Sequence, residues 1–296
     1  MSFIPNFVST HRTRVPRHSS TKRPLFNLKM PRIPHLSAIT VISLLAHAVL
    51  GSASTSRQTA LQSTPCEDPP YRIHVLSKSP LVIYISDFVT EKERQHVQEL
   101  TKSSFTRSSV ADEAGTKGQR QTRTSQSASV PRDDIVRCIE NRALSFQGFD
   151  IPRSHLEPLQ LVKYGTGEEY HPHTDWFEAE LQNTAEVGGN RETSFFAYIA
   201  VSNITGGGTN FPMLDAPREE RWCEYIDCDE PWENGVTFRP VSGNAVFWQN
   251  LAGNGTGDHA TLHAGLPVTS GNKIGMNIWT RQWALSSDYR DRGVDE

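Results

Sequence analysis

The stretch YHPHTDWF, residues 170–177, contains a His-x-Asp pair formed by His173 and Asp175. Ninety residues after His173, the string LHAG at 262–265 supplies a distant second histidine, His263. Two histidines and one carboxylate form the facial ligand set of non-haem iron(II) sites, which leaves coordination positions open for a co-substrate and oxygen. We therefore predict that His173, Asp175 and His263 hold one iron(II) ion.

Lys273 follows His263 by ten residues and supplies a fixed cation for the far carboxylate of a dicarboxylic co-substrate, which we take to be 2-oxoglutarate. On a strand, residues i and i+2 point to the same face, so His173 and Asp175 can share one metal. Residues 267–272 end in a turn signal, so the run opened by Lys273 is expected to pair antiparallel with the strand carrying His263. The predicted inward face of that run comprises Lys273, Gly275, Asn277, Trp279, Arg281 and Trp283.

The N-terminal part of the chain differs in composition from the rest. Its first 66 residues contain eight Lys or Arg and no acidic residue. The apolar segment 36–50 precedes small residues at 51–53, a pattern typical of a secretory signal peptide, and a start at Met30 would give it conventional proportions. An uncleaved type II membrane anchor is the alternative, although the apolar segment is short for a span of roughly 20 residues. Removing residues 1–53 leaves a net charge of −10, which argues against nucleic-acid binding.

The remaining chain divides by composition into a flexible connector at 54–77, a catalytic domain at 78–285 and a polar tail at 286–296. A capping-type start at Thr90 and an amphipathic run from Asp133 to Leu144 predict two helices early in the domain. The segment 102–130 is rich in Ser, Thr, Arg, Gln and Gly, which predicts a long loop. Such a loop either closes over the substrate or lies on the surface without a role.

Strands dominate the second half of the domain. The apolar patterns predict them at 159–164, 194–202, 241–249 and 273–283. Helices first and then many short strands predict an α+β fold whose catalytic half is a closed β-sandwich or jelly roll.

The cysteines and glycosylation sequons indicate a secretory protein of the endoplasmic reticulum lumen or the exterior. The even set of cysteines permits disulfides there; it comprises Cys66, Cys138, Cys223 and Cys228. Cys223 and Cys228 are close in sequence and form the favoured pair. Asn203 and Asn254 each begin a sequon, and Asn254, in a Gly-rich loop, is the favoured acceptor.

Several motifs stand in a characteristic order along the chain. They are Tyr164, Tyr170-x-Pro-His-x-Asp175, Arg191, GGGTNFP at 206–212, GNAVF at 243–247, Asp258, and HAGxPVxxGxK from His263 to Lys273 with Trp279 after it. Through these motifs, residues 78 to 284 resemble the catalytic domain of prolyl 4-hydroxylases. The resemblance implies a double-stranded β-helix, or jelly-roll, core with flanking N-terminal helices. It also implies an iron(II)- and 2-oxoglutarate-dependent dioxygenase that hydroxylates peptidyl proline.

Carried over residue by residue, the resemblance implies a role for each motif. The implied iron ligands are His173, Asp175 and His263; the implied 2-oxoglutarate residues are Lys273, Tyr164 and Thr209; the implied substrate residues are Arg191 and Trp279. Oxygen is the second co-substrate and ascorbate the expected reductant. The expected partner is a proline-containing peptide or protein, with no nucleic acid, and with a membrane only if the N-terminal segment is an anchor. The need for a partner subunit stays open.

The same residues allow other interpretations. The string at 171–175 also resembles that of hydrolytic dizinc enzymes, but Trp176 stands where such a motif needs a further histidine. His171 is expected to face outward, and His259 competes with His263 as the distal ligand. A hydroxylase of a free amino acid or other small molecule and a non-catalytic jelly-roll binding module are the functional alternatives. An acidic insertion at 213–238 is expected to influence substrate choice.

Overall fold

The computed structural model describes residues 66–111, 117–119, 121–148 and 150–291. The expectations for residues 1–53, and for the first half of the connector (54–65), therefore lie outside the described residues. The helices are α1 (Glu91–Thr101), α2 (Asp134–Phe146) and α3 (Ser287–Asp291). The strands are β1 (Arg72–Lys78), β2 (Leu81–Ser86), β3 (Thr106–Arg107), β4 (Val110–Ala111), β5 (Lys117–Gly118), β6 (Gln126–Ser129), β7 (Gln160–Tyr164), β8 (Tyr170–His173), β9 (Arg191–Gly206), β10 (Thr209–Phe211), β11 (Val236–Phe238), β12 (Ala245–Gln249), β13 (His263–Gly265) and β14 (Val268–Arg281).

Two antiparallel sheets form the predicted jelly-roll core. The major sheet has eight strands in the order β1-β2-β12-β9-β14-β7-β6-β3, and the minor sheet has four in the order β11-β10-β13-β8. The strands β4 and β5 form a separate two-stranded ribbon. Consecutive strands β13 and β14 lie in different sheets, so the chain crosses from the minor to the major sheet between them.

The major sheet is covered on both faces because its central strands are apolar at successive positions. Phe195 and Ala197 of β9 face a core that includes residues of α1 and α2, whereas Phe196 and Tyr198 face the minor sheet. Successive side chains on a strand point to opposite faces. The one strand thus supplies both the helix-side core and the core between the two sheets, where the candidate site lies.

Side-chain caps begin both long helices where the sequence predicted them. Thr90 caps α1 in a reciprocal capping box with Glu93, and the Asp133 carboxylate accepts backbone hydrogen bonds at the start of α2. Each cap satisfies amide groups that have no partner within the first helical turn. The helix starts are therefore specified by residues next to them in the sequence.

Two segments that were expected to lack secondary structure contain strands. The connector expected at 54–77 includes β1, which pairs with β2 at the edge of the major sheet. The loop expected at 102–130 contributes β3 and β6 to that sheet, and Ser108 and Ser125 within it are buried and hydrogen-bonded to each other at 3.0 Å. β3 and β6 are placed by backbone pairing to neighbouring strands, although they lack the apolar side chains that normally signal a strand.

The strand expected at 273–283 also differs from the prediction. It begins at Val268 and contains the Ser-Gly-Asn string as irregular strand positions, with Gly271 at φ +72°. It pairs with β7 and β9 rather than with the strand carrying His263. Trp283 lies beyond its end and is about half exposed (48%), so it does not belong to the inward face.

All four cysteines form disulfides. The predicted Cys223–Cys228 pair is present, and Cys66–Cys138 ties the chain ahead of β1 to α2. The short helix α3 occupies part of the predicted polar tail. None of the helices in the described residues is long and apolar enough to cross a membrane.

Candidate active site

His173 and His263 lie directly opposite each other on β8 and β13, with ring centroids 4.3 Å apart. The Nδ1 of each ring lies within hydrogen-bond distance of a backbone carbonyl two residues earlier, at 2.8 Å for His173 and 2.9 Å for His263. A proton held on Nδ1 by such a carbonyl leaves Nε2 free to bind a metal. The register of two short strands thus presents two metal-binding nitrogens to one point.

Asp175 completes the cluster from just beyond the end of β8. Its Oδ1 lies 4.0 Å from Nε2 of His173, and its Oδ2 lies 3.9 Å from Nε2 of His263. One ligand atom from each residue falls within 4.8 Å of the others. Metal bonds of about 2.0–2.2 Å place two donors of one ion about 3–4 Å apart, so the set fits a metal ion. Asp175 stands in a bend rather than on the strand face that the sequence predicted.

The electrostatics around His173 and Asp175 favour the protonation states that metal binding requires of these two residues. Burial and the neighbouring His263 lower the pKa of His173, which keeps that imidazole neutral. Burial alone would raise the pKa of Asp175, but His263 and Arg191 lower it below the usual range of a carboxyl group. Two neutral imidazoles and one carboxylate are the forms of these ligands that bind a divalent cation.

The carboxylate of Asp175 is held in place by buried donors. Ser194 Oγ donates to its Oδ2 at 2.7 Å, and Trp279 Nε1 donates to the same oxygen at 2.9 Å. Asn250 Nδ2 in turn donates to Ser194 Oγ at 2.9 Å. Because both donors bind Oδ2, the other oxygen of Asp175 is left for a metal.

Arg191 and Trp279, the predicted substrate residues, lie together beside Asp175. The guanidinium of Arg191 stacks on the Trp279 ring at 3.6 Å and pairs with both carboxylate oxygens of Glu157 at 2.8 and 2.9 Å. Arg281 shares Glu157 through a 3.0 Å ion pair. Arg191 therefore has a clear architectural role, and its contact with a substrate stays a prediction. Trp279 holds a candidate ligand in addition to lining the site.

Lys273 lies in the core between the sheets, fully buried. It is the cross-strand partner of Tyr164, and its Nζ lies 4.8 Å from the Tyr164 ring centroid. The Nζ donates to the carbonyl of Gly207, and in the described residues no carboxylate forms an ion pair with it. Burial lowers the pKa of Lys273 to about 7. A buried amine with spare donors and no protein anion fits an anionic group of a bound molecule.

Tyr164 and Thr209, the other predicted co-substrate residues, lie on opposite sheets of this core. Thr209 is buried on β10 and accepts a 2.8 Å hydrogen bond from the hydroxyl of Tyr198. Tyr164 is buried on β7, and its hydroxyl lies near Gly265, the cross-strand partner of Thr209. Tyr164, Thr209 and Lys273 therefore converge on one end of the jelly-roll interior.

The two competing histidines lie outside the cluster. His171 is exposed and lies 3.3 Å from a carboxylate oxygen of Glu169. His259 is exposed and packs edge-on against Trp176 at 5.1 Å. The structure thus brings together the histidines that the sequence analysis favoured.

Ser194, Asn250 and Glu157 support the site and were missed by the sequence analysis. Each is at most 4% exposed, yet each is an ordinary polar residue at the edge of an apolar run. A buried polar group requires a partner, so a Ser or Asn expected to face inward on a strand is the signal that could have found them.

Comparisons with known proteins agree with this geometry. Residues 159–281 match the family model described as the 2OG-Fe(II) oxygenase superfamily. This segment contains every predicted site residue, from Tyr164 to Trp279.

Three curated proteins illustrate the similarity over a longer part of the chain. Probable prolyl 4-hydroxylase 4 of Arabidopsis thaliana is 30% identical over 237 residues, covering 78% of this chain and 76% of that protein. Probable prolyl 4-hydroxylase 7 of the same plant is 31% identical, covering 71% of this chain and 65% of that protein. Prolyl 4-hydroxylase subunit alpha-1 of Rattus norvegicus is 34% identical, covering 69% of this chain but 35% of that protein. The chain thus spans less than two thirds of the last two relatives.

Proposed function

Because this chain belongs to the prolyl 4-hydroxylase family of 2OG-Fe(II) oxygenases, we propose that it hydroxylates a C–H bond of proline in a peptide or protein, with succinate and CO₂ as co-products. The observation that carries the proposal is the pairing of a His-Asp-His cluster with a buried, carboxylate-free lysine in one core. The first suits iron(II), and the second suits one end of 2-oxoglutarate.

Iron(II) and 2-oxoglutarate, when bound, would supply the electrons that activate O₂, the oxidant, for attack on an unactivated C–H bond. The chain's own residues bind and orient. His173, Asp175 and His263 would hold the metal, and Ser194 and Trp279 fix the carboxylate of Asp175. This arrangement leaves the remaining positions to the co-substrates, and the surrounding core limits access by water.

Lys273 holds the distal carboxylate of 2-oxoglutarate by a charge-assisted hydrogen bond, helped by hydroxyls of Tyr164 and Thr209. The low dielectric of this core strengthens such a bond. It also makes an uncharged occupant a poor fit, because the amine would be left without an anion. No side chain is needed as a general acid or base for the hydrogen abstraction.

The choice of a peptidyl substrate rests on the relatives, whose printed names describe prolyl 4-hydroxylases. Arg191 and Trp279 also lie beside the cluster, and Arg191 Nη1 makes two long contacts with Asp175, at 3.4 Å to its backbone carbonyl and 4.0 Å to its Oδ1. That nitrogen has capacity left for a peptide carbonyl.

We further propose that the protein works in the secretory pathway, in the endoplasmic reticulum lumen or outside the cell. Two disulfides support an oxidising compartment, because structural disulfides are rare in the cytosol. The exposed side chains of Asn203 and Asn254 suit N-glycosylation there, with Asn254 in its turn the better acceptor. Ascorbate is the proposed reductant that restores iron(II) after uncoupled turnover.

The test is succinate release from 2-oxoglutarate by anaerobically iron-loaded protein, with and without a proline-rich peptide. We expect peptide-stimulated succinate release and a mass gain of one oxygen on the peptide, both lost in His173→Ala. Glu169→Gln is the matched control, because Glu169 lies near the strand but outside the cluster.

Other outcomes would redirect the proposal. If free proline or another small molecule stimulates succinate release and no peptide does, the protein is a small-molecule hydroxylase. Absence of turnover in folded, iron-loaded protein would favour a binding module.

A further inference from the structure

A cavity of about 470 Å³ opens between the segment after Asp175 and the loop that leads to His263. Its lining includes Trp176, Phe177 and Glu178 from the first segment and Thr256 and His259 from the second. Neither the metal ligands nor the 2-oxoglutarate residues line it. It is therefore an open cavity beside the site, and the proposed reaction leaves it without a role.

Side-chain contacts link the lining of the cavity to the metal cluster. The Phe177 ring centroid lies 4.9 Å from the guanidinium carbon of Arg191, and Trp279 lies on that guanidinium at 3.6 Å. Trp279 in turn binds Asp175. Along an extended peptide, a side chain bound in the cavity is thus only a few residues away from a proline bound at the metal.

The walls of the cavity are fixed before any ligand binds. The Asn190 side chain accepts from the backbone N–H of Phe177 at 2.8 Å and donates to its carbonyl at 2.9 Å. Gly257 packs directly on the Trp176 ring, where a Cβ would approach to 2.2 Å, and Trp176 Nε1 donates to the carbonyl of Asp258. These contacts hold the aromatic and polar lining of the open cavity in place, so that it offers one side chain of a larger ligand a preformed surface.

The lining of the cavity carries one carboxylate, that of Glu178. Glu178 is exposed at its mouth, no Lys or Arg lines it, and in the described residues no basic side chain pairs with Glu178. The nearby cations Arg191 and Arg281 lie against Phe177, but they share the carboxylate of Glu157, and Arg191 also faces Asp175. Glu157 therefore compensates one of these positive charges, and Asp175 is shared with the proposed metal, so the negative charge that the cavity lining itself presents is that of Glu178.

From this geometry we propose that the cavity is a specificity subsite that takes the side chain of a lysine or arginine flanking the target proline. The inference rests on the proposed function, because it assigns a preference to that peptide substrate. Glu178 pairs with the cationic head, and the aromatic edges of Trp176 and Phe177 contact its aliphatic stem. Acidic flanking residues are disfavoured because they would face Glu178.

The test uses a host peptide with one proline and moves a single lysine through the positions on either side of it. Each lysine peptide is compared with its norleucine counterpart, which keeps the stem and removes the charge. We expect lysine at one position to lower KM about three- to fivefold with kcat unchanged. Glu178→Gln should abolish this advantage, whereas Glu180→Gln, at an exposed glutamate outside the cavity, should keep it.

A charge reversal gives a second, independent readout. In Glu178→Lys, a glutamate at the same peptide position should become preferred over lysine. Equal KM for lysine and norleucine peptides at every position, or an advantage that persists in Glu178→Gln, would overturn the subsite proposal.

Direct binding separates this proposal from the proposed function. If no peptide is hydroxylated at all, calorimetric titration of the lysine and norleucine peptides into the wild-type protein and Glu178→Gln still tests the subsite. Charge-dependent binding that Glu178→Gln removes would support the subsite even then. Equal binding of both peptides would reject it.

Discussion

Ser194 and Trp279 are cross-strand partners on β9 and β14, and both donate a hydrogen bond to the same oxygen of Asp175. The position of that carboxylate is therefore set by the pairing register of two long strands in the major sheet. The metal-binding histidines stand on the opposite sheet. The geometry of the cluster thus depends on how the two sheets pack, and the carboxylate cannot move without disturbing the central strand pair.

The first prediction concerns this support. Ser194→Ala removes one donor to Asp175 and leaves Asn250 without its acceptor, so the carboxylate can rotate. We expect iron(II) affinity to fall about 10- to 100-fold, as is usual when such a partner of a metal ligand is lost. An anaerobic iron(II) titration measures it, and Ser202→Ala, exposed on the same strand, is the control. Unchanged affinity in a folded Ser194→Ala protein would contradict the role assigned to Ser194.

The ligand set could be predicted from the sequence because His173, Asp175, His263 and Lys273 are reactive residue types at distinctive spacings. The residues that hold these ligands in position could not be predicted in this way. Ser194 is an unremarkable residue in an apolar run, and its importance depends on a register that local sequence does not specify.

The wrong neighbour assigned to the strand of Lys273 has a similar cause. A short turn signal usually joins hairpin partners, but here residues 266 and 267 carry the chain from one sheet to the other. The Ser-Gly-Asn string became an irregularity within β14 because both of its flanks are already paired with β9. Sheet membership is a tertiary property, so only the packing of the whole core decides it.

The second prediction follows from the buried amine of Lys273. Without ligand its pKa is lowered to about 7 by burial, and a bound carboxylate favours the charged form. Above pH 7 the amine must take up a proton when 2-oxoglutarate binds, so affinity should fall with rising pH, by up to about tenfold per pH unit. Below pH 7 the amine is already charged, and this dependence should disappear. Calorimetric titration of anaerobic iron(II)-loaded protein between pH 6 and 9 tests the trend.

Replacing Lys273 with an uncharged residue of similar size separates the effect of its charge on 2-oxoglutarate binding from the effect of its packing. Lys273→Met keeps most of the volume and should weaken 2-oxoglutarate binding about 10- to 100-fold, the usual loss for a buried charge-assisted bond. Lys163→Met, at an exposed lysine on the neighbouring β7, should bind as the wild type does. A Lys273→Met protein that binds 2-oxoglutarate normally would place the distal carboxylate elsewhere.

The third prediction concerns Glu157, which pairs with both Arg191 and Arg281 in the interior. Glu157→Gln leaves two buried guanidinium groups with one compensating charge fewer, and we expect a loss of about 3–5 kcal/mol in the free energy of unfolding. Urea denaturation measures it, with Glu186→Gln at an exposed position as the control. A loss below about 1 kcal/mol would show that the arginines find other partners.

The same carboxylate gives a pH dependence of stability. Burial opposes its ionisation, but Arg191 and Arg281 prevail and lower the pKa of Glu157 below its ordinary value of 4.5. The contribution of ionised Glu157 to the free energy of unfolding should be complete above pH 4.5. It should be lost as the pH falls through the lowered pKa that Glu157 has in the folded protein. Glu157→Gln should lack this acid-dependent component when its unfolding free energy is compared with that of the wild type.

The last prediction compares the two disulfides. Cys66–Cys138 closes a loop of 72 residues and Cys223–Cys228 one of 5. Since a cross-link restricts the unfolded chain more when its loop is longer, the paired Cys→Ser variants should lose about 4 kcal/mol for the first and about 2 kcal/mol for the second. Urea denaturation of both double variants beside the wild type measures the difference. Because Cys223–Cys228 lies in the insertion at 213–238, its removal should leave iron(II) binding intact. An equal or reversed order of the two losses would contradict the loop-length argument and indicate that native packing around the insertion dominates.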